Sequence, residues 1–261
     1  MELLVDPLFR IPFVTGLCLS LLLPLLGAYL RLRDEWLAAL GFVHLGGAGG
    51  VIGSVVPWPP LATALGAAAL GVGLRSTRRR AGNDGYAVMI LAGWAVMILG
   101  ASLDHTARVM GQALIDGQLY FTGNAHVAAV ATFALCLGAL LPALSRRLLR
   151  ARLMPGFDAV NGSSGRLDTL LFTALTAFGV TLAAMSVGVM AAFALTFIPP
   201  WVAFRVAISW RGALALATLA GAVAFTASFV VALLVDLPFG PTLVAVLVLL
   251  AALRAVRRPP G

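Results

Sequence analysis

Apolar residues in this chain come in long unbroken runs separated by short polar breaks, without the apolar/polar alternation of a membrane-barrel strand. About 20 consecutive apolar residues are enough for a helix to cross a bilayer. On that measure nine segments stand out, at roughly 11–30, 37–57, 60–75, 86–103, 124–144, 167–185, 188–204, 212–234 and 240–256. They predict an all-α fold, a polytopic transmembrane helical bundle of eight or nine spans forming one domain over residues 1–261. The sixth and seventh segments meet at Ser186-Val187-Gly188 with no polar loop, which predicts a broken or re-entrant helix near 185–204. Two connections are long. Residues 104–123 leave room for a short interfacial helix at 107–121. Residues 145–166 carry five arginines and then the helix-breaking runs Pro155-Gly156-Phe157-Asp158 and Asn161-Gly162-Ser163-Ser164-Gly165.

Composition removes the soluble alternative. The chain is 61% hydrophobic and 11% charged, with a mean hydropathy of +1.01, whereas a soluble domain carries roughly 25% charged residues. Its net charge of +8 would fit a nucleic-acid partner, except that the arginines gather at the ends of apolar segments. With an external N-terminus, nine crossings put sixteen of the eighteen arginines on the cytoplasmic side, leaving Arg10 and Arg108 outside. All eighteen basic residues are Arg, which with the many Ala, Leu and Gly suggests a bacterial source. The expected setting is therefore a bacterial cytoplasmic membrane, with the C-terminus in the cytoplasm and no nucleic-acid partner. The N-terminus lacks the basic stretch and cleavage site of a signal peptide, so the first apolar segment is expected to remain as a span. Cys18 and Cys136 lie in separate apolar runs, without the close spacing of a zinc site or disulfide framework.

Ionisable groups inside a bilayer are costly and mark function by default. Here only His44 lies well inside a span, seven residues beyond Leu37 and so about 10 Å along the helix. No Asp or Glu is placed mid-span, which argues against a carrier that harvests an ion gradient through buried carboxylates. His44 is followed by Gly46, Gly47, Gly49, Gly50 and Gly53. This stripe fits close helix packing or a side-chain-free path for a small ion. The imidazole fits a backbone hydrogen bond or a transient metal contact, since neutral imidazole is a ligand suited to zinc. With three His and two Cys in all, one chain cannot close a four-ligand cage, so no stably bound cofactor is expected. Asp104, His105 and Asp116 are candidates for an acidic outer vestibule that attracts cations. Enzyme motifs are absent. There is no His-Glu-x-x-His, and Gly162-Ser163-Ser164-Gly165 is not followed by the Lys-Ser/Thr of a nucleotide loop.

The run Val-Gly-Val-Met-Ala-Ala-Phe-Ala-Leu-Thr-Phe-Ile-Pro-Pro-Trp-Val-Ala-Phe-Arg-Val from Val187 resembles a signature of the permeases of zinc, manganese and iron ABC importers, with Gly188, Ala194, Pro199 and Ala203 in register. Asp236-Leu-Pro-Phe-Gly-Pro-Thr242 is similar to that family's segment before the last helix. Phe9-Arg10 and Leu26-Gly27-Ala-Tyr-Leu-Arg-Leu-Arg33 resemble its N-terminal pattern. Ile115-Asp-Gly117-Gln-Leu119 resembles its external segment. In the second span the family's His is kept as His44, while its acidic residue is Leu40 here and its Ser is Val43.

The resemblance implies a permease that moves a divalent metal ion, zinc first with manganese or iron next, by alternating access. It implies three kinds of partner: a cytoplasmic ATPase dimer, a periplasmic or lipid-anchored metal-binding protein, and a second copy of the permease. The ATPase would dock on the 145–166 connection, with Arg146, Arg147, Arg150, Phe157 and Asp158 as the coupling candidates. The reading left beside it is a gradient-driven or passive carrier of a small solute.

Overall fold

The computed structural model describes residues 7–56, 58–77, 82–117, 119–154, 157–160 and 165–256. Without water, backbone groups in an apolar run find partners only within their own helix, and the described secondary structure is helical with no strand. In chain order the helices are α1 (Pro7–Leu32), α2 (Leu37–Val55), α3 (Pro60–Thr77), α4 (Asn83–Leu103) and α5 (His105–Asp116). A 3-10 turn at Leu119–Phe121 leads to α6 (Asn124–Leu153), α7 (Phe157–Val160), α8 (Arg166–Val187), α9 (Val189–Ala203), α10 (Trp210–Val235) and α11 (Phe239–Val256).

Each of the nine apolar segments is a helix, but they are not equal. Helices α1, α2, α4, α6, α8 and α10 are long and apolar enough to cross a bilayer. Helices α3 and α11 have 18 residues and α9 has 15, so the eight or nine spans resolve into six long helices and three shorter ones. The break between α8 and α9 falls at Gly188, whose φ of 95° and ψ of 159° belong to a region open essentially only to glycine. A turn at 204–206 then ends α9 just after Pro199-Pro200.

Two boundaries differ from the sequence expectation. Helix α6 continues past 144 to Leu153 because Leu144 and Leu148, one turn apart, stay buried on its inner side. The connection expected at 145–166 is therefore confined to 154–165, and its arginines 146, 147, 150 and 152 are helical. Helix α5 begins at His105 rather than 107, capped by Asp104, and buries Ala107, Met110 and Leu114 on one face.

Helices α8 and α2 form the centre of the bundle, with 78% and 72% of the residues in their most apolar stretches buried, against 22% in α4 and α6. Helix α2 packs chiefly on α4 and α3, then on α8; α1 packs on α10 and α9. Two prolines shape the α1 contacts. A proline at position i has no N–H for the carbonyl at i−4, so Pro24 deprives Ser20 O, and Pro200 deprives Thr196 O, of the helical donor. In each case a glycine on the neighbouring helix covers the carbonyl. A methyl on Gly221 of α10 would lie 2.5 Å from Ser20 O, and one on Gly27 of α1 would overlap Thr196 O.

At the arginine-rich end, Tyr29 Oη donates to Ser145 Oγ at 2.7 Å and its ring meets Trp210 edge-on. At the opposite end, Phe13, Phe225, Phe229 and Phe239 pack as one aromatic cluster that ties α1, α10 and α11 together.

Candidate functional site

His44 is buried, 4% exposed, in the middle of α2. Its Nδ1 lies 2.9 Å from Leu40 O. A carbonyl only accepts, so Nδ1 carries the proton in that bond and Nε2 keeps the lone pair of the neutral ring. The backbone of His44 faces Gly93 of α4, where an added methyl would lie 2.6 Å from His44 C. Helix α4 thus approaches the α2 backbone closely at this residue.

The glycines that follow His44 are filled by neighbouring side chains. Methyl groups built on Gly46, Gly47 and Gly50 would lie 2.5 Å from Thr181 Cγ2, 2.9 Å from Met97 Sδ and 3.0 Å from Met185 Sδ. Gly49 is as tightly held, 2.5 Å from Thr63 O on the same measure. The stripe is a packing surface on which α3, α4 and α8 converge, in the manner of small-residue membrane interfaces. In this conformation it is not an open path.

The three residues named for an outer vestibule do not gather. Asp104 and His105 begin α5, and Asp116 ends it, about 18 Å away at 1.5 Å per residue. Asp104 is exposed and accepts from Thr106 N at 2.9 Å, and Asp116 accepts from Gln112 Nε2 at 2.9 Å. The Thr106 amide holds the Asp104 carboxyl below the usual carboxylate value. A depressed folded pKa means that the cap is fully present above the ordinary value of about 3.9 and is lost as pH falls through the folded one. At neutral pH, Asp104→Ala is expected to lower the protection of the 105–108 amides against hydrogen exchange, relative to the unstructured rate at the same pH. Acidification through the depressed folded pKa is expected to lower it likewise in the unaltered protein. Unchanged protection in both would show that the cap does not hold this turn.

Three of the five coupling candidates, Arg147, Arg150 and Phe157, have partners at this end of the bundle. Arg147 Nη1 lies 2.7 Å from Asp168 Oδ1, joining the end of α6 to the start of α8 across the 154–165 connection. Arg150 lies over the Phe157 ring, 4.9 Å from its centroid, and Arg146 is exposed. Asp158 falls in α7 and its side chain is outside the described ones. Residues 155–156 and 161–164 of the connection are outside the described residues as well.

A charged network at the same end was not foreseen. Glu35, in the α1–α2 turn, takes Arg33 Nε on Oε2 at 3.2 Å and Arg75 Nη2 on Oε1 at 3.0 Å. Arg75 Nε also lies 3.0 Å from the hydroxyl of buried Tyr86. Asn83 clamps the same turn, donating to Asp34 O at 3.0 Å and accepting from Leu37 N at 3.3 Å. A recess of about 280 Å³ lies between this network and the Arg147–Asp168 pair, lined by Arg33, Glu35, Arg147, Arg152 and Asp168. A second cavity, of about 300 Å³, is lined by Gly27, Arg31, Asp34, Trp36, Thr196 and Trp201. Among the described residues no three His, Cys, Asp or Glu side chains come together as a metal site.

Residues 6–257 match the model of the ABC 3 transport family. The chain belongs to the ABC 3 transport family. This ABC 3 protein is a membrane transport subunit and not an enzyme. Its fold is similar to that of PsaBC from Streptococcus pneumoniae in complex with Fab, with a TM-score of 0.80, 15% identity, and coverage of 99% of this chain and 94% of that one. It is also similar to a chain described as a metal-chelate type ABC transporter in an inward-facing conformation, with a TM-score of 0.74, 16% identity, and coverage of 95% and 85%. At such identities the likeness is one of fold. No curated protein sequence matches.

Proposed function

We propose that this ABC 3 chain is the membrane-spanning permease of an ATP-driven importer of a divalent metal ion, zinc first, with manganese or iron next. The observation that carries the reading is the family match over nearly the whole length. The likeness to a chain described as a metal-chelate type transporter supports a metal cargo. The near absence of charge inside the spans supports an outside source of energy, since the bundle has a buried imidazole but no mid-span carboxylate. In this reading His44 offers Nε2 to a passing ion while Leu40 O fixes the tautomer. A single soft contact suits a conduit, because a closed ligand cage would hold its cargo.

An ATPase dimer would sit on the arginine-rich end, against α7 and the ends of α6 and α8, with a metal-binding protein at the opposite face and a second permease copy alongside. Asp104 and Asp116, well separated, would then act as two sources of negative potential and not as one ligand set.

The test is uptake of zinc, manganese and ferrous iron into vesicles that hold the chain with its ATPase and binding protein. ATP-dependent uptake of at least one metal is expected, and uptake indifferent to ATP would replace the reading with a passive or gradient-driven carrier. His44→Ala is expected to lower metal uptake about tenfold, the order of one lost contact at about 1.4 kcal/mol, with ATP hydrolysis retained. Undiminished uptake in that variant would return His44 to a packing role.

A further inference from the structure

The protomer packs as two groups of helices. One holds α2, α3 and α4, closed up through Gly49 on α3 and through Gly93 of α4 on His44. The other holds α1, α9, α10 and α11, with α8 set between the two. Helices α1 and α2 are consecutive yet touch each other little, because each packs into a different group. The turn between them, Arg33 to Trp36, is therefore the direct covalent joint of the two groups, which the chain links again only by way of α5, α6 and α8. Asp34 there takes a φ of 61°, a left-handed conformation that reverses the chain within four residues.

Glu35 sits at that joint with one partner on each side. Arg33 belongs to the α1 side, and its guanidinium also lies 5.4 Å from the Phe172 ring centroid on α8. Arg75 belongs to the α3 side and reaches Tyr86 of α4, whose ring packs against Phe42 and Gly41 of α2. The Arg33, Glu35 and Arg75 side chains are only 15–16% exposed, so the pairs are partly screened from water and stronger than surface pairs. Across the 280 Å³ recess stand Arg147 and Asp168, on the two helices that flank the 154–165 connection.

We propose that Glu35 is a positioning residue through which movement of the α6 and α8 ends reaches α2, the helix that carries His44, beside the direct packing of α8 on α2. A shift of the α6 and α8 ends closes or opens the recess against Arg33–Glu35. Because Glu35 also holds Arg75, the shift passes to the α2–α3–α4 group as one body. The role rests on the transport function proposed above. It assigns a task to a residue that touches no cargo.

The experiment uses the reconstituted complex and measures metal uptake and ATP hydrolysis together. Glu35→Gln is expected to lower the metal moved per ATP about tenfold, within the usual range of a coupling free energy, while hydrolysis and the unfolding temperature stay near those of the unaltered complex. Arg75→Gln should show the same split, and the double variant Glu35→Gln/Arg75→Gln should be no worse than either alone, as for two members of one unit. Should Glu35→Gln not fold, Glu35→Asp, which keeps the charge and shortens its reach, must show the split instead. Metal moved per ATP equal to the unaltered complex overturns the proposal. So does a loss of uptake and hydrolysis in step with a lowered unfolding temperature, which marks a merely structural tie. An unaltered complex that moves no metal would count against the transport reading, whereas a working complex with an equally working Glu35→Gln variant removes only the role of Glu35.

Discussion

Replacing Gly27 by leucine is expected to prevent the bundle from assembling, the largest effect of any single substitution discussed. The reason lies in Pro200, which leaves Thr196 O without a helical donor and lets α1 approach it at Gly27. A Cβ there overlaps a backbone oxygen, which cannot move aside as a side-chain tip can. Ordinary overpacking of a core costs about 1–3 kcal/mol, and displacing α1 from α9 adds the loss of their whole contact. Total stabilities are only about 5–15 kcal/mol. Size-exclusion profiles and thermal unfolding of the detergent-solubilised protein report the outcome. Gly66→Leu on α3 is the control, since nothing lies within 4 Å of a methyl at that position. A Gly27→Leu protein that elutes and melts like the Gly66→Leu control would show that α1 and α9 do not meet in this way.

The second large effect is expected at Gly188. Its φ of 95° with ψ of 159° costs a residue with a side chain about 1–3 kcal/mol from backbone strain alone. A Cβ would also lie 3.0 Å from Leu114 O and 3.2 Å from Gly117 Cα, both backbone atoms of the segment that ends α5. Gly188→Val is therefore expected to lower stability by about 3 kcal/mol or more, the sum of strain and steric displacement. Gly188→Ala should fall between the two, because it carries the strain with the smallest side chain. Denaturant unfolding in detergent separates these cases. A valine variant as stable as the native protein would mean that α8 and α9 can join through another conformation.

The helices were legible because bilayer thickness sets the length of an apolar run and little else competes with it. The α8–α9 break was legible for a local reason too: Gly188 interrupts an apolar stretch that has no polar loop. What the glycines of α2 face was not legible. A glycine reads the same whether water or Met185 lies opposite, and the partner comes from a helix more than a hundred residues away. Asp104 and Asp116 looked like neighbours because both fall in one polar connection, yet the helix between them holds them apart. Glu35 was passed over for the opposite reason. Its partner Arg75 is forty residues further along, and only the return of α3 to the same end brings it there, where Tyr86 at the start of α4 holds the same guanidinium.

The two carbonyls left without donors on either side of α1 have a mechanical consequence. In hydrocarbon, a bare carbonyl costs several kcal/mol and would normally be fixed by one directed hydrogen bond. Ser20 O and Thr196 O are instead sheltered by glycine Cα–H groups, contacts that are weak and tolerant of angle. A directed bond resists sliding, because a small displacement forfeits most of it; a glycine surface loses little over the same distance. Helix α1 therefore meets α9 and α10 at two depths through backbone-to-glycine contacts that depend on close approach and not on a directed hydrogen bond.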